Sequence, residues 1–245
     1  MTHIFPLEVL EQYADKLEGH WWRISKYQPL TEDFMRTFES KLNWEIVSQY
    51  QKLSENFISE FQGKVYWDKV CQYQKLSEKF IKQFKHKMAW GIVSQHQMLS
   101  EDFMIEFKAE LNWEKLSQYQ IMSMDFIDEM WEKIDKKVVA KHQKLNEKFV
   151  MEKDRIKALG ESIVLGRIKL SEENLEKCLK RIVNYTIEYK NSCLFSIVEN
   201  QKLSQDFCVR HSKILPLKRL YDNQVMTYDE CEQILTTVGI LNKLV

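Results

Sequence analysis

Glycine and proline are scarce, with 6 Gly and 3 Pro in 245 residues, where an average globular chain carries roughly 12% of the two together. Such a chain has little material for β-turns, hairpins or a glycine-rich phosphate loop, so it is expected to be almost entirely helical. Net charge is also missing: 36 Lys+Arg balance 36 Asp+Glu. That balance removes the usual argument for a nucleic-acid or anionic-membrane partner, which rests on a basic excess. Cysteines are five and scattered, at Cys71, Cys178, Cys193, Cys208 and Cys231. This fits neither a disulfide framework nor paired metal ligands, and predicts reduced thiols in an intracellular compartment. No run approaches the ~18 apolar residues of a membrane span, and the N-terminus lacks a basic, then apolar leader. A soluble, unexported protein without membrane contact is therefore expected. Disorder is excluded by 13 Phe, 10 Tyr and 7 Trp, which supply ample surface to bury.

What the chain has is a repeat. Trp21, Trp44, Trp67, Trp90 and Trp113 recur every 23 residues, and five other columns keep that step. They are Ile24/Val47/Val70/Val93/Leu116/Val139, Tyr27/Tyr50/Tyr73/His96/Tyr119/His142, Gln28/Gln51/Gln74/Gln97/Gln120/Gln143, Leu30/Leu53/Leu76/Leu99/Met122/Leu145 and Phe34/Phe57/Phe80/Phe103/Phe126/Phe149. Six units fill residues 21–153. A period of this size marks an array of small supersecondary units.

Each unit reads as two short helices. In Leu53-Ser54-Glu55-Asn56-Phe57-Ile58 the serine is a good N-cap, and Glu55 suits the positive end of the helix dipole. Leu53 and Ile58 have the spacing of a hydrophobic staple. Phe57, Phe61 and Val65 follow at i, i+4 and i+8, one helical stripe. A second helix starts near Trp67, carries Val70 and Tyr73, and must end before Leu76; Asn43 and Asn112 are candidate caps for its counterparts. Helices of two or three turns are unstable alone, so units must stack. A single long helix fails because 23 residues is not a whole number of heptads, and the tryptophans could not share a seam. The expected fold is an all-α, α-solenoid-like array of helix-turn-helix repeats. Residues 1–20 are expected to cap it, and 154–245 to form a degenerate helical continuation that covers the other end.

In that last region, residues 154–170, with two glycines, read as a loop or boundary. Leu170-Ser171-Glu172 opens a helix through Leu175, Cys178, Leu179 and Ile182. Residues 201–207, QKLSQDF, form a seventh copy out of register. Thr227-Tyr228-Asp229-Glu230 has capping-box spacing and predicts a last helix through Ile234 and Val238.

Tyr50-Gln51-Lys52-Leu53-Ser54-Glu55-Asn56-Phe57-Ile58, with Trp44 before and Phe61 after, resembles the tandem YQKLSExFI-type repeats of giant DNA viruses of amoebae, of the mimivirus and marseillevirus kind. The resemblance covers residues 21–153. It implies a viral origin and action inside a host cell or virion, and it brings no catalytic residues.

Catalytic signatures are missing: there is no GxSxG, P-loop, HExxH or GxGxxG. Neither an enzyme nor a cofactor is expected. Cys208 and His211 could form half a zinc site, but a matching second half is absent. His96 and His142 stand in an aromatic column and are expected to pack. The Gln column could read one ligand element per repeat, as in one-base-per-repeat RNA binders. A code needs variation among its reading positions, and this column has none, so the amide is expected to satisfy backbone groups between units. Trp and Phe columns are expected in the core.

Charge is banded. Counted from Trp21 in steps of 23, the units carry +1 (4 basic, 3 acidic), −1 (2, 3), +4 (6, 2), −3 (1, 4) and −4 (2, 6), and residues 136–153 carry +4 (6, 2). Banding suits a protein partner of complementary charge, or self-association. The expected function is therefore a non-enzymatic interaction scaffold. Its candidate contacts are Trp22 and Trp131, which lie off the repeat register, with Lys69, Lys79, Lys82 and Lys85 in a basic unit and Asp125, Asp128 and Glu132 in an acidic one. The alternative is nucleic-acid binding through the basic units 67–89 and 136–153, which the acidic units between them interrupt.

Overall fold

A computed structural model describes residues 4–216, 219, 220, 227, 229 and 232. Cys231, and Ile234 and Val238 of the helix expected from Thr227, lie outside the described residues. Among the described residues the secondary structure is helical, without strands. The chain divides into two compact units, Met1–Gln120 and Ile121–Val245.

The first unit contains α1 (Leu7–Gln12), α2 (Trp21–Tyr27), α3 (Glu32–Thr37), α4 (Trp44–Tyr50), α5 (Glu55–Glu60), α6 (Trp67–Tyr73), α7 (Glu78–Gln83), α8 (Trp90–His96), α9 (Glu101–Glu106) and α10 (Trp113–Tyr119). From α2 onward a seven-residue helix opening at the tryptophan column alternates with a six-residue helix opening at the glutamate after the serine cap. The seven-residue helices α2, α4, α6, α8 and α10 pack successively on one another.

Cap chemistry explains why such short pieces start where they do. Ser54 Oγ accepts from Phe57 N at 3.2 Å, and Thr31, Ser77 and Ser100 make the same bond to Phe34, Phe80 and Phe103. Asn43 and Asn112 cap α4 and α10 through Ile46 N and Lys115 N. Both members of the staple, Leu53 and Ile58, are buried. We expect Ser54→Ala to lower stability by about 1 kcal/mol in urea unfolding, and Ser54→Asp, which keeps an acceptor, to recover most of it.

The core is a stack of rings and aliphatics. Trp44 lies 4.9 Å from Phe61 and 6.1 Å from Phe57 between ring centres, and the two phenylalanines are 4.6 Å apart. The same triplet recurs as Trp21/Phe34/Phe38 and Trp67/Phe80/Phe84. Phe57, Ile58 and Val47 are fully buried. The indoles of Trp44, Trp67, Trp90 and Trp113 are half-buried, lying along the edge of this core. Trp44 Nε1 donates to Glu39 O, and Trp67 and Trp113 donate to the carbonyl five residues before them in the same way.

The Ile121–Val245 unit contains α11 (Met124–Glu129), α12 (Lys136–His142), α13 (Glu147–Met151), α14 (Arg155–Leu159), α15 (Glu161–Arg167), α16 (Glu172–Ile182), α17 (Ile187–Asn200) and α18 (Gln205–Arg210). Residues 154–170 were expected to be a loop, and they are mostly helical. Only Gly160, at φ +90°, breaks the path between α14 and α15, and Gly166 lies inside α15. Ile156, Leu159, Val164 and Leu165 are fully buried, and that apolar periodicity outweighs the two glycines. The seventh repeat copy is real: Ser204 caps α18 through Phe207 N, after α16 and α17 have lengthened to 11 and 14 residues.

Candidate interaction surface

Separating the residues that hold units together from those that remain for a partner starts with the glutamine column. Gln51 Nε2 donates to Ser25 O and Gln28 O, both at 2.8 Å, while its Oε1 accepts from Leu30 N at 3.0 Å. Gln74, Gln97 and Gln120 repeat all three bonds one unit further on each time. Each amide thus ties the end of one seven-residue helix to the next, and each glutamine's own carbonyl receives the following one. At the beginning of the chain Gln28 Oε1 accepts from Phe5 N. In the second unit Gln201 binds Leu165 O, Ile168 O and Leu170 N, so the clip survives the longer insertion. All these glutamines are buried. A buried primary amide with three of its four positions filled is structural, as expected from its invariance.

Two further clips escaped the sequence reading. In several units the glutamate that follows the cap accepts the cap amide of the next unit: Glu32 from Ser54 N at 2.8 Å, with Glu55/Ser77, Glu78/Ser100, Glu147/Ser171 and Glu172/Ser204 alike. Hydrogen bonds from the Ser171 hydroxyl, which contributes most, and from the Asn174 amide hold the Glu147 carboxyl below its ordinary 4.5, against the opposing effect of burial. A column of small residues four places after the tryptophan, including Ser25, Ser48, Cys71, Ser94 and Ser117, is wholly buried. Ser48 Oγ donates to Trp44 O and accepts Tyr66 N. A small residue at this position in every unit was the available signal.

The charged candidates divide. Lys69 pairs with Glu45 at 3.8 Å, Lys82 with Glu106 at 2.5 Å, and Asp128 with Lys153 and Arg155. Arg36/Glu60 and Lys64/Glu39 do likewise, so much of the banded charge is matched between neighbouring units. Lys79, Lys85, Asp125 and Glu132 are exposed, and no ion pair to them occurs among the described residues. Trp22 is 48% exposed, with the Arg23 guanidinium 5.7 Å from its ring. Trp131 is half-buried. The sixth repeat has Lys136 where the others have tryptophan, and Trp131 takes over the packing, lying edge-on to Phe149 at 6.3 Å. Trp22, Lys69, Lys79, Lys82 and Lys85 belong to the Met1–Gln120 unit, and Asp125, Asp128, Trp131 and Glu132 to the Ile121–Val245 unit.

Hydrogen bonds from Lys153 and then Arg155 hold the Asp128 carboxyl below its ordinary range. A folded-state value below the unfolded one means that the pair contributes stability above the unfolded value, roughly 3.9, and loses it as pH falls through the folded value. Denaturant midpoints measured against pH should therefore fall on acidification below about pH 4, and fall less steeply in Asp128→Asn.

The expected packing of His96 and His142 is corrected, because their column faces outward. Tyr27, Tyr50, Tyr73 and Tyr119 are 40%, 49%, 47% and 46% exposed, and His96 and His142 are exposed too. At 100° per residue, a position six after the tryptophan lies about 110° round from the centre of the buried stripe, which explains why an aromatic there faces out. Beside it runs a second exposed-face column, Gln49, Gln72, Gln95 and Gln118, half-buried. Lys26 Nζ sits 5.1 Å from the Tyr27 ring centre and 4.9 Å from that of Tyr50. Hydrogen bonding to the Tyr27 hydroxyl is the main cause of its raised pKa.

Chemistry of other kinds finds little support. The His211 ring lies 4.5 Å from that of Phe207, packed beside its neighbour Cys208. Among the described residues no three metal-ligating side chains converge, and no helix is long and apolar enough to cross a membrane. Cys71, Cys178, Cys193 and Cys208 are free and buried, and burial pushes Cys178 and Cys193 up to about 11, which keeps them as inert thiols. No family model, curated protein or solved structure matches the chain.

Proposed function

We propose that this chain is a non-enzymatic helical repeat scaffold that holds a protein partner on the exposed face of its seven-residue helices. One observation carries this reading. The recurring polar residues of the interior are occupied by neighbouring units, whereas the tyrosine column recurs as regularly with nearly half of each ring in solvent. Half-exposed tyrosines are effective contact groups because they offer large, rigid, amphipathic area with few rotors to immobilise. The resemblance of the unit to giant-virus repeats supports a viral setting, in a host cell or a virion.

The test compares wild type with a variant carrying Ser at Tyr27, Tyr50, Tyr73 and Tyr119, both immobilised and exposed to host-cell lysate. A stoichiometric partner, retained by wild type and lost from a variant with unchanged melting, is expected. Absence of any such partner, together with a monomer in gel filtration at every concentration, overturns the reading.

The second reading, nucleic-acid binding through 67–89 and 136–153, draws on exposed Lys79 and Lys85. It predicts salt-sensitive binding that weakens when Lys79, Lys82 and Lys85 are neutralised. Pairing of Lys82 with Glu106 and the acidic stretch 90–135 count against it.

A further inference from the structure

The tyrosine rungs of the Met1–Gln120 unit have a chemical context that narrows the partner. The residues around them are Lys26-Tyr27-Gln28-Pro29, Gln49-Tyr50-Gln51-Lys52, Gln72-Tyr73-Gln74-Lys75, Gln95-His96-Gln97-Met98 and Gln118-Tyr119-Gln120. Lysines, amides and phenols are present in these segments, and carboxylates are absent from every one. Lys26, Lys52 and Lys75 have no carboxylate partner among the described residues, and Lys52 and Lys75 are exposed. The nearest acids on these helices, Glu45, Asp68 and Glu114, lie about one turn towards each helix N-terminus, and Glu45 is already paired with Lys69. A strip of aromatic rungs edged by unpaired cations is complementary to an extended anionic chain.

Rung spacing selects the kind of chain. Lys26 touches both of the first two rings, which sets their centres no more than about 10 Å apart, matching the ~8–10 Å separation of packed helices. Three residues of a polyproline II peptide advance roughly 9 Å and return to the same face. An extended peptide therefore meets one rung per three residues. Nucleic acid fits less well, because it carries a charge on every nucleotide while the His96 rung has Met98 where the Tyr50 and Tyr73 rungs have Lys52 and Lys75.

We infer that Tyr27, Tyr50, Tyr73 and Tyr119, with Lys26, Lys52 and Lys75, hold an extended acidic peptide in polyproline II-like conformation, one turn to a rung. This rests on the reading of the tyrosine face as the partner surface. Proline or aliphatic side chains lie on the rings, carboxylates meet the lysines, and the Gln72 and Gln95 amides are placed for the peptide's free carbonyls.

The test is fluorescence anisotropy at low salt with the full chain and a labelled peptide of repeated Glu-Pro-Ala triplets. A Lys-Pro-Ala peptide and an oligo-uridine serve as competitors in class. The acidic peptide should bind, weaken with added salt, and bind about tenfold more weakly to Tyr50→Ser/Tyr73→Ser and to Lys52→Gln/Lys75→Gln. The lysine variant alters only exposed, unpaired side chains, so it carries the test even if the tyrosine variant melts lower. Equal binding of the basic peptide, tighter binding of oligo-uridine, or unchanged affinity in the lysine variant overturns the inference. Failure of the acidic peptide while a lysate protein is still lost on tyrosine substitution also overturns it, and leaves the scaffold reading standing.

Discussion

Gln74→Ala is expected to lower the unfolding free energy of the Met1–Gln120 unit by about 3–6 kcal/mol, far beyond the cost of removing an ordinary surface amide. The substitution deletes three bonds at once, to Ser48 O, Gln51 O and Leu53 N, at 2.9, 2.8 and 3.0 Å. Each backbone group is left buried without its partner, at about 1–3 kcal/mol apiece. Water could recover part of this only where the cavity opens to solvent, and Gln74 is just 6% exposed. The neighbouring exposed-face Gln72→Ala should change stability by no more than about 0.5 kcal/mol. Thermal unfolding reads both, with a drop of about 10 °C or more for the first and little for the second. Equal, small effects would mean that the clips contribute nothing to stacking.

Arg181→Met should destabilise the Ile121–Val245 unit by about 3–5 kcal/mol. Glu161 is 1% exposed, and its Oε1 is held at 2.7 Å by Arg181 Nε. The same guanidinium reaches Asp154 at 3.1 Å. Removing the cation strands a carboxylate in an environment dry enough to raise the Tyr185 hydroxyl well above its ordinary pKa, burial being the main cause and the Glu161 carboxylate adding to it. The double variant Arg181→Met/Glu161→Leu, in which both charges leave together, should recover most of the loss, because a buried pair often contributes little beyond an apolar pair of similar size. Urea unfolding of the two variants measures the difference. A double variant no better than the single would assign the loss to side-chain packing of Arg181.

The repeat could be read from residues alone because its signals are local. A cap at Ser54, a staple at Leu53/Ile58 and a phenylalanine at i+4 each act within one helix turn, and the period of 23 needs only counting. Contacts between units were less accessible. The glutamine clip could be anticipated in kind, since an unvarying amide suits backbone pairing. The glutamate clip could not, because Glu55 looked sufficiently explained by the dipole of its own helix while it also bonds Ser77 of the next. Charge banding left the pairing between units unread: a +4 unit lies beside a −3 unit, and Lys82 meets Glu106 across that boundary. His96 and His142 were misplaced because the aromatic character of their column was weighed above its helical angle. Residues 154–170 show the converse, two glycines outweighed by Ile156, Leu159, Val164 and Leu165 in the core.

The scarcity of glycine has a matching explanation. Among the described residues positive φ occurs at Gly19, Lys153, Asp154 and Gly160, all outside the turns joining the regular repeats. Those turns close through serine caps, glutamine amides and glutamate carboxylates, so direction changes at each unit without a special backbone residue. Fixed polar columns inside and a fixed aromatic column outside then follow from one short sequence unit copied along the chain. The interior columns cannot vary without breaking a clip, and the proposed recognition therefore uses the face that carries Tyr50, Tyr73 and their neighbours.

That division of roles is tested most directly by measuring melting temperature and partner retention together in Gln74→Ala and Tyr73→Ser, below the melting point of both. The predicted result is a double dissociation: Gln74→Ala melts about 10 °C or more lower yet retains the partner per folded molecule, and Tyr73→Ser melts like wild type yet retains less. A Tyr73→Ser chain that melts low and keeps its partner in full would contradict it.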